Sequence, residues 1–305
     1  MAKIKRDVND RKGILGGSSL GAALGFSTYK TPYEVAEQYL GKVEEVSAEQ
    51  QEIFDMGHAL EDFVASQIER KWGVKVQRSN FAYTHPLDDR IICHPDRIAV
   101  GKIDGKRIGI EIKSSSVYDN RWGAEGTSDI PMDYLIQCLI YIACDVCDEV
   151  WLIRFSNNRL TRYIVEKTDE SVELIQTIVQ NAIEWMNNVD KGIMPEPISY
   201  KEATSIFSND TSGDIYASEE VYRVWADWKN IQAEKKHLEE QEDQLKVLLV
   251  KFIGDKKVLK DEKTGDKLCT YSKVTSTRLD SKKLKAERPE IFDEYSKTTT
   301  FMQLR

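Results

Sequence analysis

Apolar residues along the first two hundred positions switch four times between helical and strand spacing, and each switch predicts a new element. Thr31 and then Pro32 open a short helix within residues 27–42 that carries Val35, Ala36, Tyr39 and Leu40 on one side. From Glu49 to Trp72 the set Ile53, Phe54, Met56, Leu60, Phe63, Val64, Ile68 and Trp72 recurs at helical spacing, which predicts one stripe facing a core. The period then falls to two. Residues 74–83, 90–100 and 106–113 alternate or run β-branched, and Asp104-Gly105 between the last two is a tight-hairpin signal. Residues 131–147 predict a buried helix started by Ser128 or Asp129, residues 149–155 and 162–165 two more strands, and residues 171–189 a closing helix. Helices, a run of strands, a helix, then strands and a helix specify an α/β fold with a central mixed sheet flanked by helices.

Pro195, Pro197 and the polar run from Ser208 to Asp214 break the pattern. We divide the chain there into a first domain over 1–200, a linker over 201–218 and a C-terminal region over 219–305. In that region Val224, Trp228, Ile231, Leu238, Leu245, Leu249 and Phe252 follow a four-three spacing interrupted by Lys235 and Glu242, the mark of a long amphipathic helix. The expectation is that this helix packs back on its own domain, with a coiled coil with a partner as the alternative. A hairpin around Lys263-Thr264-Gly265 and a short basic helix over 281–295, interrupted near Pro289, complete the region.

Composition narrows the function. The 305 residues hold no apolar run long enough to span a bilayer, and the first thirteen lack the apolar core of a secretion signal, so a cytoplasmic protein is expected. The five cysteines are an odd number, and Cys144 and Cys147 form a lone C-x-x-C without a second pair, which fits buried thiols in a reducing compartment. A formal charge of −8 excludes nucleic-acid binding by bulk positive charge. From Lys251 onward, however, 14 Lys and Arg stand against 9 Asp and Glu, so this tail is either a DNA or partner surface or a solvated lysine face.

Chemistry concentrates in the strands. Asp96 on one strand and Glu111 and Lys113, two apart on one face of the next, put two carboxylates and an amine together, while Ile110 and Ile112 point to the opposite, core face. Paired carboxylates suit a hard divalent cation such as magnesium, and the lysine can orient a water or neutralise charge developing on a phosphate. Glu61 lies one helical turn from Gly57, whose missing side chain leaves it room. Gln137 and Tyr141, four apart on the later helix, point together toward the same cleft. His94, two before Asp96, is a candidate further ligand.

The series Gly57 to Glu61, Pro95-Asp96, Glu111-Ile112-Lys113 and Gln137 to Tyr141 resembles the motifs of the PD-(D/E)-x-K nucleases, in particular the YqaJ-type, lambda-exonuclease-like branch. The opening from Arg11 to Ser19, followed by Ala22 to Lys30, is similar to that of YqaJ-family viral recombinases, and the likeness runs over about residues 8 to 200. Leu279-Asp280 with Leu284-Lys285, then Pro289-Glu290 and Phe292, resembles the tail of such phage proteins. It departs at Arg97, where many relatives have glycine. The resemblance implies a nuclease core of the PD-(D/E)-x-K type followed by the helical and hairpin unit. It implies Mg2+, with Mn2+ as a substitute, on Asp96, Glu111, the carbonyl of Ile112 and Glu61; catalysis by Glu61, Asp96, Glu111, Lys113, Gln137 and Tyr141; and a 5′-phosphate held by Arg11 and Ser18. It further implies 5′-to-3′ digestion of linear duplex DNA to leave 3′ single-stranded tails. The implied partners are DNA ends, a single-strand annealing protein of the RecT or phage beta type, and copies of itself in a ring such as a trimer, in a phage- or prophage-encoded system. A structure-specific or restriction-like endonuclease would share the acids, and a non-catalytic DNA- or partner-binding module would share the fold; cleavage of closed circles, or of nothing, separates them.

Overall fold

The computed structural model describes residues 3–4, 12–42, 47–114, 120–207, 213–298 and 302–304, with only the backbone of the first two. It divides into two compact units, Met1–Ala203 and Thr204–Arg305.

In the first unit, β1 (Lys3–Ile4) and β2 (Leu15–Gly16) precede α1 (Gly17–Ala23), α2 (Pro32–Tyr39) and α3 (Ala48–Trp72). Then come β3 (Val76–Arg78), β4 (Ala82–Thr84), β5 (Ile91–Cys93), β6 (Arg97–Ala99), β7 (Ile108–Ser114), α4 (Met132–Ala143), β8 (Glu149–Ser156), β9 (Arg159–Glu166) and α5 (Asp169–Asp190), and α6 (Tyr200–Ile206) runs across the boundary of the two units. Local chemistry sets the starts. The Thr31 hydroxyl accepts from the N–H of Glu34 (3.1 Å) and the Glu34 carboxylate accepts from the N–H of Thr31 (2.9 Å), a reciprocal cap that fixes α2 where Thr31-Pro32 predicts it. Asp104 (φ 49°) and Gly105 (φ 80°) form the predicted tight turn before β7.

Strands β3-β6-β7-β8-β9 form a five-stranded sheet, antiparallel except for β7 and β8, so it is mixed as expected. The parallel pair needs a crossover, which α4 supplies. Strands β1-β4-β5-β2 form a smaller sheet. Alternation along β7 then places its two sets of side chains. Ile108, Ile110 and Ile112 pack with Val64 and Ile68 of α3 and with Trp151 and Ile153, whereas the other face of the sheet lies under α4 and α5 in a core that includes Val150, Leu152, Leu139, Ile140 and Met186. Helix α1 lies so close on α4 that a Cβ at Gly21 would come 2.9 Å from the Cα of Asp133, so only glycine fits.

Three expectations are corrected. Residues 91–100 are not one strand: β5 belongs to the smaller sheet and β6 to the larger, with the break at His94-Pro95-Asp96, because proline cannot donate to a ladder. The stripe of α3 is covered only near its end. Val64, Ala65 and Ile68 are buried, but Ile53 is 69% and Met56 63% exposed. A helix of 25 residues is about 37 Å long, whereas the seven residues of β7 span about 23 Å, so the helix outruns the sheet. Helix α4 is capped by Pro131 rather than by Ser128 or Asp129, since Asp129 is tied into a turn by Thr127. Gly16 ends β2 and Gly17 opens α1, with Gly17 buried against Ile140 and Cys93.

Cys93, Cys138, Cys144 and Cys147 are buried free thiols. Burial pushes Cys93 and Cys138 up and Cys147 up to about 12, so the C-x-x-C packs the core. Among the described residues no helix is long and apolar enough to cross a membrane.

In the second unit, α7 (Glu219–Ile253) is followed by β10 (Val258–Lys260), β11 (Lys267–Thr270), α8 (Ser281–Glu287) and α9 (Pro289–Tyr295). Asp261 accepts from the N–H groups of Lys263 and Thr264 (2.8 Å each), closing the predicted hairpin. The expected packing of the long helix is not seen. Only Ile253 of α7 is buried, and Val224, Ile231, Leu238 and Leu245 are 62% to 66% exposed.

Candidate active site

Glu111 is the centre of the arrangement. It lies on β7 facing α4, almost fully buried at 3% exposure, and three donors converge on it. Lys113, two residues on and on the same face, places its Nζ 2.7 Å from Oε1; Gln137 Nε2 donates to Oε1 at 2.8 Å; and the Tyr141 hydroxyl donates to Oε2. The second proton of Gln137 Nε2 goes to the Tyr141 oxygen at 3.0 Å. One helical turn separates Gln137 from Tyr141, so α4 delivers both to the same carboxylate. These two residues hold Glu111 rather than lining open space. Burial, then the Glu111 charge, pushes the Tyr141 phenol well up, so it stays a donor.

Asp96 reaches the group from the break between β5 and β6, where its Oδ2 accepts from the N–H of Ile112 at 2.7 Å. Burial raises its carboxyl well above the usual carboxylate range, and the charge of Glu111 raises it further against the pull of that N–H and of Lys113. Burial lowers the Lys113 ammonium, but Glu111 and then Asp96 raise it more. Its Nζ also lies 5.1 Å from the ring centre of Tyr134.

Glu61 belongs to the α3 side of the sheet and meets the group through Arg97. The buried Arg97 donates to the carbonyl of Asp96 (2.7 Å), to Asp62 (2.7 Å) and, at 3.5 Å, to Glu61. The residue that departs from the pattern thus locks the backbone at Asp96 to α3. Gly57 faces open space, with no atom within 4 Å of a Cβ built there. The side chain of His94 is exposed, and its carbonyl accepts from the Tyr141 hydroxyl at 3.3 Å. Ser18 is exposed on α1 and outside the bonded group, and Arg11 lies outside the described residues.

Sequence reasoning passed over Tyr134 and Arg154. Tyr134 shares a helix face with Gln137 and Tyr141 at i, i+3, i+7, a signal available in the sequence. Arg154 is the register partner of Lys113 on the parallel strand β8, with its guanidinium 4.6 Å from the ring centre of Trp122. Only the pairing of β7 with β8 reveals it.

Among the described residues no three or more His, Cys, Asp and Glu side chains are gathered into a closed cage for a metal ion. The donors nevertheless fit a hard divalent cation. Asp96 and Glu111 are hard oxygen ligands held together under cover, where like charges repel unless positive charge is supplied, and magnesium takes few protein ligands and keeps its waters.

Residues 8–148, which include Glu61, Asp96, Glu111, Lys113, Gln137 and Tyr141, match the YqaJ-like viral recombinase domain. YqaJ of Bacillus subtilis (strain 168) is 28% identical over 301 residues, 96% of this chain and 91% of that protein. Among solved structures, an alkaline exonuclease from Laribacter hongkongensis has 16% identity and a TM-score of 0.44, covering 59% of this chain and 92% of that one. A phage-related exonuclease from Haemophilus somnus 129PT has 13% identity and a TM-score of 0.40, covering 59% and 96%.

Proposed function

We propose that this YqaJ-like chain is a magnesium-dependent exonuclease that digests linear double-stranded DNA from the 5′ end and leaves 3′ single-stranded tails for recombination. The observation that carries the reading is the group formed by buried Glu111 with half-buried Asp96 and Lys113. A buried and a half-buried carboxylate held side by side oppose each other, with one lysine against them, and a divalent cation between them would relieve that repulsion and serve phosphodiester hydrolysis.

In this reading Asp96 and Glu111 hold Mg2+, or Mn2+ in its place, with the carbonyl of Ile112 completing the protein ligands and Glu61 serving a second cation. The bound cation supplies charge neutralisation at the scissile phosphate and makes a neighbouring water more acidic. Lys113 presents its ammonium to the developing phosphate charge while Glu111 fixes where that ammonium sits. Gln137 and Tyr141 orient Glu111 so that a ligand oxygen does not turn away. Arg154, beside Lys113 on the next strand, offers the backbone phosphates a guanidinium stiffened by Trp122. Arg11 and Ser18 receive the 5′-phosphate.

The reading extends to partners. The tails pass to a single-strand annealing protein of the RecT or phage beta type, and the enzyme works as a ring-shaped homo-oligomer such as a trimer in a bacterial cytoplasm, encoded by a phage or prophage. Incubating 5′-labelled linear, 3′-labelled linear and covalently closed duplexes with magnesium tests the activity. Early release of the 5′ label and intact circles are expected. Cut circles would instead identify an endonuclease, and early release of the 3′ label would reverse the polarity.

A further inference from the structure

Helix α7 presents an apolar stripe along 35 residues, and its two interruptions carry information. Counted in heptads, Val224, Ile231, Leu238, Leu245 and Phe252 occupy one core position, d, and Trp228, Lys235, Glu242 and Leu249 the other, a. From Trp228 to Phe252 the seam is about 36 Å long at 1.5 Å per residue. Lys235, Leu238, Glu242 and Leu245 are all exposed. Glu242 pairs with Lys246 one turn away at 2.7 Å, but both groups are more than half exposed, so the pair is screened by water and contributes little.

We propose that this stripe binds a second copy of the same helix in antiparallel orientation. In a parallel pair each a position faces its own copy, so Lys235 would meet Lys235 and Glu242 would meet Glu242 in the middle of the seam, two like-charge contacts. Antiparallel pairing puts a against d. With the two-fold axis beside Glu240, Trp228 then faces Phe252 of the second copy, Ile231 faces Leu249, Lys235 faces Leu245 and Leu238 faces Glu242. Lys235 of one copy and Glu242 of the other fall in adjacent layers, about 5 Å apart along the axis, with opposite charges. The sign and position of the two interruptions therefore select one orientation and one register, as a polar residue in a seam does. Such a contact is isologous and closes on itself, so it pairs copies or pairs rings and cannot build a three-membered ring alone.

Charge exchange in the full chain tests this, read by sedimentation equilibrium across a concentration series. The wild type is expected to associate in even multiples. Lys235→Glu and Glu242→Lys each place like charges in adjacent layers and are expected to weaken association at least tenfold, and the double exchange K235E/E242K to restore it to within about threefold. Both positions are exposed, so folding is not at stake, and far-ultraviolet circular dichroism checks it. Single exchanges without effect would point to a parallel seam or another contact, a double exchange that fails to restore would remove the Lys235 to Glu242 pairing, and a wild type monomeric at every concentration would remove the second copy. Each of these overturns the proposal.

Discussion

At Glu111 one buried carboxylate takes donors from Lys113, Gln137 and Tyr141, so the loss of any one changes how firmly it is aimed. Tyr141→Phe removes a hydrogen bond without opening a cavity. It is expected to lower cleavage about 10- to 100-fold at limiting magnesium and to move the magnesium midpoint upward, whereas a wild-type midpoint would show that Tyr141 is packing alone. Asp96→Asn keeps an oxygen for the Ile112 N–H but removes the charge that opposes Glu111. Without divalent cations this variant is expected to melt about 2–4 °C above the wild type, equivalent to about 1 kcal/mol, and to lose the rise that magnesium produces in the wild type. A lower melting point would contradict the repulsion. That Glu111 and Lys113 share a face was legible because alternation along β7 dictates it, whereas Asp96 comes from the break between β5 and β6, which alternation does not reach. The role of Arg97 was not legible, since no local pattern shows that its guanidinium spans from the Asp96 carbonyl to α3.

Among the elements, those set by local chemistry were legible and those set by reach were not. Thr31 and Glu34 cap α2 as read, and Asp104-Gly105 turns as read. The stripe of α3 predicted a covered helix, but how much sheet stands beneath it depends on strand length elsewhere in the chain. The turn between β4 and β5 holds a test of its own. His85 is buried and its Nδ1 accepts from the N–H of Leu87 at 3.2 Å, so the ring is neutral. Burial holds it below its ordinary value, more than Asp88 raises it. The unfolded chain binds that proton near pH 6.5 and the folded chain only at lower pH, so unfolding takes up a proton in between and stability falls as pH drops through that window. Urea midpoints at pH 7.5 and 5.5 are expected to differ more for the wild type than for His85→Gln. Equal differences would place the His85 ring in water.

On the scale of the whole molecule, the mixed sheet flanked by helices was legible because strand and helix periods alternate in order. The orphaned face of α7 was not, because a four-three stripe looks the same whether its own chain or another copy covers it. The net charge of −8 repels DNA at a distance, so the account rests on local chemistry at one group. Lys113 is the side chain that should be dispensable for the fold and indispensable for the reaction. The most direct measurement is the initial rate of nucleotide release from a 5′-phosphorylated linear duplex with magnesium, wild type against Lys113→Ala, with melting curves of both. The account predicts release by the wild type and a loss of about 100- to 1000-fold in a variant that still melts cooperatively. A folded Lys113→Ala chain that digests DNA at the wild-type rate, or a wild type that releases nothing with magnesium or manganese, would contradict it.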